Sequence, residues 1–200
     1  MNEKFFDLKK EKQDRMINAA LKVFAENGYR HASTDDIVAE AGISKGLLFH
    51  YFISKLGLYE FLYDYSVRFM TLELTTRVNK NENDFFVLLK QVEAAKIHVL
   101  KNYPYMQQFI DSTKYENVKE ALIAAEEKKN TLKEAREAIL NQADLSRFKP
   151  EADPAKLLCM IEYAIQGMMK ESFFEGSFHP DMINEEINGY LDMMKQLAYK

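Results

Sequence analysis

The chain has 200 residues, 47% of them hydrophobic and 29% charged, with a formal net charge of -4 and a single cysteine. That much apolar material excludes a disordered chain, the lone cysteine excludes an internal disulfide, and the acidic balance excludes a generally basic nucleic-acid coat. No run of about twenty apolar residues is available to span a membrane, and the charged start "MNEKFFDLKKEKQDR" lacks a signal-peptide core, so the cytoplasm is the expected compartment.

Seven glycines and four prolines leave little punctuation, and the abundance of Ala, Leu, Glu, Lys and Met favours helix throughout. From about Lys9 to Asn27, Ile17, Ala20, Leu21 and Phe24 recur at helical spacing, and Gly28 stands where that helix is expected to stop. In "HASTDDIVAEAG", Ser33 or Thr34 can cap a second helix. Asp35 and Asp36 suit its first turn, Ile37 and Ala41 share an inner face, and Gly42 ends it. A third helix follows within a few residues, capped by Ser44, with Leu48 and Phe52 facing inward. Two short helices joined by a glycine turn and propped by a longer one make a helix-turn-helix. Ser54 caps a fourth helix that runs to about Val78.

Beyond the polar "NKNEND", helices are predicted over 84–101, 104–113, 116–142, 153–174 and 181–198, with Pro104, Pro154 and Pro180 at or just before first turns. In the 116–142 helix, Val118, Leu122, Ala125, Leu132 and Ile139 form one side, and Glu126-Glu127-Lys128-Lys129 reads as a solvated face. Cys159, in "KLLCMIEYA", reads as a small core residue.

Charge is mildly asymmetric. Residues 1–55 hold nine Lys/Arg against eight Asp/Glu, and the remainder eighteen against twenty-three, which permits a local anion-binding surface near the amino end. Within "ISKGLLFHYF", residues 43–52, the side opposite Leu48 and Phe52 presents Lys45, Gly46, Leu47, Phe49 and His50, with Tyr51 at its margin. The second helix of a helix-turn-helix enters the major groove. There Lys45 can donate to guanine O6 or N7, and Leu47 or Phe49 can meet a thymine methyl. Gly46 lets the backbone approach closely. Thr34, His50, Tyr51 and Lys55 are expected at phosphates, with amide donors from the starts of the second and fourth helices. The caps Ser33 and Ser44 complete this candidate DNA-binding set.

Two rival classes are weaker. The four histidines, at 31, 50, 98 and 179, show no metal-ligand spacing, and no nucleophile elbow, P-loop or dinucleotide fingerprint is present. No enzyme, cofactor or metal is therefore expected. A helical protein-interaction adaptor would not need Lys45, Gly46 and Lys55 exposed beside a capped turn.

The block "STDDIVAEAGISKGLLFHYFISKLGL", preceded by "VFAENGY", resembles the DNA-binding region of TetR/AcrR-family transcriptional regulators. The resemblance is carried by Ser33-Thr34, Ile37, Ala41-Gly42-Ile43-Ser44, Lys45-Gly46, Leu48, the cluster Phe49-His50-Tyr51-Phe52, and Ser54-Lys55 followed by Leu58. It covers about residues 9–60. Three positions depart from the family pattern. Leu47 stands where a polar residue is usual, Phe49 where tyrosine is usual, and Gly57 where an acidic residue often completes a capping box. Gly57 is expected to cost about 1 kcal/mol of helix stability against alanine.

The resemblance implies an all-α fold of about nine helices. Residues 1–54 would form a three-helix DNA-binding domain with the helix-turn-helix, and residues 55–200 a larger helical effector-binding and dimerisation domain. It further implies a homodimeric, ligand-responsive regulator of double-stranded operator DNA, acting as a repressor. Two late segments carry seams for helix packing: Leu157, Ile161, Ala164 and Met168, and Ile183, Ile187, Tyr190, Met194 and Leu197. The resemblance makes these the dimer interface. Gly167 and Gly189 would permit close backbone approach. A Met- and aromatic-rich set between the two regions supplies the expected wall of an effector pocket: Tyr59, Leu62, Tyr63, Phe86, Tyr103, Met106, Phe109 and Tyr163. Glu93, Glu162 and Gln166, with His98, interrupt apolar stripes and can orient a small apolar or aromatic ligand.

Overall fold

The computed structural model describes residues 2–126 and 128–200. These form ten α-helices: α1 Lys10–His31, α2 Thr34–Ala41, α3 Lys45–Phe52, α4 Lys55–Arg77, α5 Phe85–Leu100, α6 Met106–Ser112, α7 Lys119–Glu126, α8 Thr131–Leu140, α9 Pro154–Phe174 and α10 Pro180–Ala198. Short 3-10 turns lie at Glu3–Asp7, Thr113–Tyr115 and Leu145–Arg147. The described residues hold no strand beyond a single bridge between Phe148 and Tyr199, so the fold is all-α as expected. The chain divides into two compact units, Met1–Leu72 with Val99–Glu134, and Glu73–His98 with Ala135–Lys200.

In the first unit the predicted face of α1 (Ile17, Ala20, Leu21 and Phe24) is buried. The helix does not stop at Gly28. It kinks there, at φ 66°, and turns once more to His31, with the Ala32 N–H donating to the Gly28 carbonyl at 3.1 Å. Glycine takes that φ without steric cost. The extra turn places Tyr29 inside, where its N–H donates to Glu116 Oε2 at 2.9 Å and its hydroxyl to Glu120 Oε1 at 2.6 Å.

The three serine caps form as the sequence suggests. Ser33 Oγ accepts from Asp35 N–H at 3.1 Å, Ser44 Oγ from Leu47 N–H at 3.2 Å, and Ser54 Oγ from Gly57 N–H at 3.0 Å. Gly42 ends α2 in the left-handed region, φ 62° and ψ 43°. The turn from α3 to α4 is tight. Ile53 lies at φ 66° and ψ -47°, and the Phe52 carbonyl accepts the Ser54 N–H at 2.7 Å, a γ-turn. A Cβ at position 57 would collide with that same carbonyl oxygen. Gly57 is therefore not a weak spot in α4: its bare α-carbon lets the turn close.

The single helix expected over 116–142 is two. The chain turns at 128–130, where the Lys128 N–H donates to the Ala125 carbonyl at 3.3 Å and the Thr131 N–H to the Lys128 carbonyl at 3.1 Å. Asn130 favours such a turn over helix, and Lys128 is drawn to Asp64 at 3.3 Å rather than lying on a free face. α7 buries Ala121 and Ala125 and exposes Leu122, the reverse of the expected side for Leu122. Glu127 lies outside the described residues.

The second unit is pinned around Asp84. Its Oδ1 caps α5 by accepting the Phe86 and Val87 N–H groups at 3.0 and 3.1 Å. Its Oδ2 takes Arg147 at 3.0 Å and Lys195 of α10 at 2.8 Å. Burial pushes this carboxyl up, but Lys195 and the two amides outweigh it and hold it below the ordinary range. The rings of Phe85, Phe86, Phe148 and Tyr199 close over the site with centroids 5.0 to 6.0 Å apart. Asp153 caps α9 through the Ala155 and Lys156 amides, both at 3.1 Å, with Pro154 in its first turn.

In an ordinary helix interior Gly→Ala stabilises by about 0.5–1 kcal/mol. Here Gly57→Ala is expected to lower the unfolding free energy by about 1–3 kcal/mol, because a carbonyl occupies the space. Ile53→Gly should raise it by about 0.5–1 kcal/mol by relieving the left-handed conformation. Urea unfolding curves of the two variants check both signs.

Candidate nucleic-acid interface

The outer side of α3 is available. Lys45, Gly46 and His50 are exposed, and Leu47 and Phe49 half-exposed. Nothing lies within 4 Å of where a Gly46 Cβ would sit, so a ligand can approach the backbone there. Beneath, Leu48 and Phe52 are buried. Lys45 Nζ pairs with Asp35 Oδ1 at 2.8 Å, with both side chains well exposed. Such a surface pair contributes at most about 1 kcal/mol, so the ammonium exchanges it readily for a base edge or a phosphate. Ser33 and Thr34 sit half-buried at the start of α2, and Ser44 is exposed at the start of α3.

Two residues assigned to phosphates have other work. Tyr51 is 7% exposed. Its ring packs edge-on against Phe5 at 5.7 Å and His50 at 5.0 Å, covered by an amino-terminal turn that helix periodicity did not reveal. Lys55 turns inward. Its Nζ donates to the Ala32 carbonyl at 2.9 Å and the Arg30 carbonyl at 3.4 Å, and stands 4.6 Å from the centre of the Tyr29 ring. Burial pulls this ammonium below its ordinary value against the opposing pull of Glu120 and Glu116. Lys55 thus ties the start of α4 to the end of α1 by satisfying two carbonyls that α1 leaves open.

Of the candidate effector residues, the first unit gathers Tyr59, Leu62, Tyr63, Met106 and Phe109, all buried. Phe109 meets Tyr59 at 5.3 Å and Tyr63 at 6.4 Å between ring centres, and Tyr59 meets Phe24 of α1 at 5.2 Å. Tyr103 is buried in the same unit, but its hydroxyl serves α1: it donates to Asp14 at 2.6 Å, accepts from Lys10 at 2.7 Å and lies 2.8 Å from the Tyr65 hydroxyl. The rest belong to the second unit. Phe86 is buried in the ring cluster beside Asp84, Glu93 is buried and paired with Lys96 at 2.8 Å, and Glu162 is paired with Arg136. Tyr163 and Gln166 are exposed rather than lining an interior wall.

The two late seams are partly filled within the chain. Ile161, Ile183 and Ile187 are buried, and Leu157, Met168 and Met194 half-buried. Those three isoleucines are therefore not free for a second copy. Ala164, Tyr190 and Leu197 remain exposed, flanked by Met160, Tyr163 and Met193. Between α9 and α10 runs an apolar groove lined by Ile161, Ala164, Ile165, Ile187, Tyr190, Leu191 and Met194. Gly167 and Gly189 have open space above them. Cys159, read from its neighbours as core, is exposed on α9. Its apolar neighbours mark a two-sided helix, so they do not say which side looks outward.

Among the described residues no helix is long and apolar enough to cross a membrane, and no cluster of His, Cys, Asp or Glu could hold a metal ion. Residues 16–62 match the family described as bacterial regulatory proteins, tetR family. Over 44 residues the chain is 48% identical to the HTH-type transcriptional regulator UidR of Escherichia coli (strain K12), a match covering 22% of each protein. Over 49 residues it is 43% identical to the HTH-type transcriptional activator FasR of Mycolicibacterium smegmatis, covering 24% of this chain and 22% of that one. The chain thus spans about a fifth of the length of these curated relatives, both named as regulators of transcription. Over its whole length it takes the fold of a TetR family transcriptional regulator from Chloroflexus aurantiacus, with a TM-score of 0.64 at 19% identity, covering 100% of this chain and 98% of that one.

Lys55→Ala removes two hydrogen bonds and a cation–π contact from the α1–α4 junction, and is expected to destabilise the chain by about 1–3 kcal/mol. If Lys55 is structural, the salt dependence of DNA binding stays the same. A phosphate contact would lower the slope of log K against log salt by about 1.

Proposed function

Because residues 16–62 match the tetR family of bacterial regulatory proteins, we propose that the chain is a sequence-specific, DNA-binding transcription regulator working in the cytoplasm as a homodimeric repressor. The observation that carries this reading is the two-sided character of α3. Leu48 and Phe52 lock it from behind, while Lys45, Gly46, Leu47, Phe49 and His50 remain open in front. Under this reading Lys45 and the half-exposed Leu47 and Phe49 read bases. Thr34, His50 and the starts of α2 and α4, capped by Ser33 and Ser54, meet phosphates. Residues 1–54 would then be the DNA-reading part and residues 55–200 the part that pairs and responds.

One eight-residue helix presents few base contacts. A second copy, reading a half-site about one helical turn or more away, supplies the remaining specificity. The exposed apolar side chains Met160 and Tyr163 of α9 and Tyr190, Met193 and Leu197 of α10 support pairing through these two helices, since large exposed apolar surface marks an interaction site. The effector is a small apolar or aromatic molecule. The buried wall of Tyr59, Leu62, Tyr63, Met106 and Phe109 on α4 and α6 suits such a ligand, which would act by favouring one setting of α4 over another.

Sequencing the genomic fragments that the purified protein retains would define the operator. On a duplex chosen this way, Lys45→Ala is expected to lose about 1–3 kcal/mol of binding with little change on random DNA. An equal loss on both would demote Lys45 to a phosphate contact. Tyr163→Glu combined with Leu197→Glu should convert the dimer to monomer in sedimentation equilibrium and weaken operator binding, because each change is felt twice across a two-fold interface. A variant that still sediments as a dimer would move the interface elsewhere.

A further inference from the structure

Ahead of α1, the chain folds back on the carboxyl end of α3. The last carbonyls of a helix have no partner within it. In α3, Phe49 O takes the Ile53 N–H at 2.9 Å and Phe52 O the Ser54 N–H at 2.7 Å, while Tyr51 O takes the Asn2 N–H at 2.7 Å. The amino-terminal segment thus supplies a cap that α3 cannot make for itself. Phe5, in the 3-10 turn Glu3–Asp7, is fully buried, with ring centres 5.7 Å from Tyr51, 5.1 Å from Phe52 and 5.4 Å from Phe61. The segment is fastened at both ends. At its start the Asn2 N–H holds the Tyr51 carbonyl, while Asn2 Oδ1 caps the 3-10 turn by accepting the Lys4 N–H at 3.1 Å. Gln13 of α1 donates its Nε2 to the Leu8 carbonyl at 2.7 Å and the Phe6 carbonyl at 3.1 Å.

We propose that residues 2–8 are a strap that sets the pose of α3, with Phe5 as the positioning residue, so that part of the discrimination between DNA sequences resides in a segment that touches no base. The proposal rests on the DNA-binding reading. A helix of eight residues has little stability of its own and holds its orientation through what packs on it. Contacts to base edges need that orientation, whereas contacts to phosphates tolerate its loss. Loosening the strap therefore acts on the difference between cognate and random DNA, not on binding as such.

The test uses the full chain, a duplex selected from retained genomic fragments and a scrambled duplex, with hydrogen exchange followed at residues 48–54. Phe5→Ala should weaken binding to the selected duplex by at least about tenfold while leaving the scrambled duplex within about twofold. Exchange at 48–54 should quicken with that of α9 and α10 unchanged, and Phe5→Leu should restore most of both. If Phe5→Ala fails to fold, Gln13→Met, which releases the clamp on Phe6 and Leu8 but keeps the ring, should show the same pattern more weakly. Unchanged exchange at 48–54 overturns the strap, whatever the DNA result. Equal losses on the two duplexes overturn its role in discrimination. Failure of the wild-type chain to distinguish the duplexes overturns the parent reading, and that role with it.

Discussion

The Phe52 carbonyl oxygen sets the angle at which α3 meets α4. It accepts the Ser54 N–H, which forces Ile53 into the left-handed region, and it occupies the space that a side chain at position 57 would need. A β-branched residue in that conformation costs about 1–2 kcal/mol. The turn persists because of what it brings together: Phe52 on one side and Leu58 on the other are each 1% exposed. Burying two such side chains contributes about 1.5–3 kcal/mol apiece, so burial outweighs the strain. The outward face of α3 is a consequence of this closure, because only a helix held from behind can keep Lys45 and His50 in solvent and its leucine and phenylalanine inside.

Burial also separates residues that look alike in the sequence. Lys45 and Lys55 are ten apart, both next to a serine cap, yet they do opposite things. Lys45 holds Asp35 in water, an interaction too weak to keep it from a nucleic acid. Lys55 holds two backbone carbonyls and a ring, and withdrawing it would leave the part-buried Ala32 carbonyl unpaired. The same distinction divides the tyrosines. The Tyr103 hydroxyl is surrounded by Asp14, Lys10 and Tyr65 and has no capacity left for a ligand, whereas Tyr163 lies in solvent.

What could be read in the sequence was whatever is decided within four residues. The serine caps at 33, 44 and 54, the left-handed Gly42, the inner faces of α1 to α3 and the starts at Pro154 and Pro180 are all local choices. What could not be read depends on partners far along the chain. Tyr29 is drawn inside by Glu116 and Glu120, which prolongs α1 past Gly28. Tyr51 is covered by Phe5, whose only signal was an unexplained pair of phenylalanines in a charged segment. In α9 the 4-3-4 spacing of Leu157, Ile161, Ala164 and Met168 names a stripe. It does not say that Ile161 packs within the chain while Met160 and Tyr163, on the next stripe, face out. Gly57 was misread for a related reason: propensity describes an isolated helix, and its neighbour here is a carbonyl from the preceding one.

Under the proposed effector response, these constraints bound what a ligand must do. The start of α4 is joined to α1 through Lys55 on the Ala32 and Arg30 carbonyls, and through Tyr59 on Phe24 and Tyr29, at 5.2 and 5.1 Å between ring centres. It is joined to α6 through Tyr59 and Tyr63 on Phe109. Close-packed rings transmit displacement rather than absorb it, so α4 cannot shift at this level without carrying α1, and with it α2 and α3. A ligand that switches such a body between two settings, from 1:99 to 99:1, must bind one setting better by about 5.5 kcal/mol. At about 25 cal/mol per Å² that is roughly 220 Å² of apolar surface buried in one setting and not the other, near the whole surface of one aromatic side chain. An effector smaller than an aromatic ring cannot supply that difference by apolar contact alone. A larger one can, provided the proposed wall of Tyr59, Met106 and Phe109 opens in only one of the two settings.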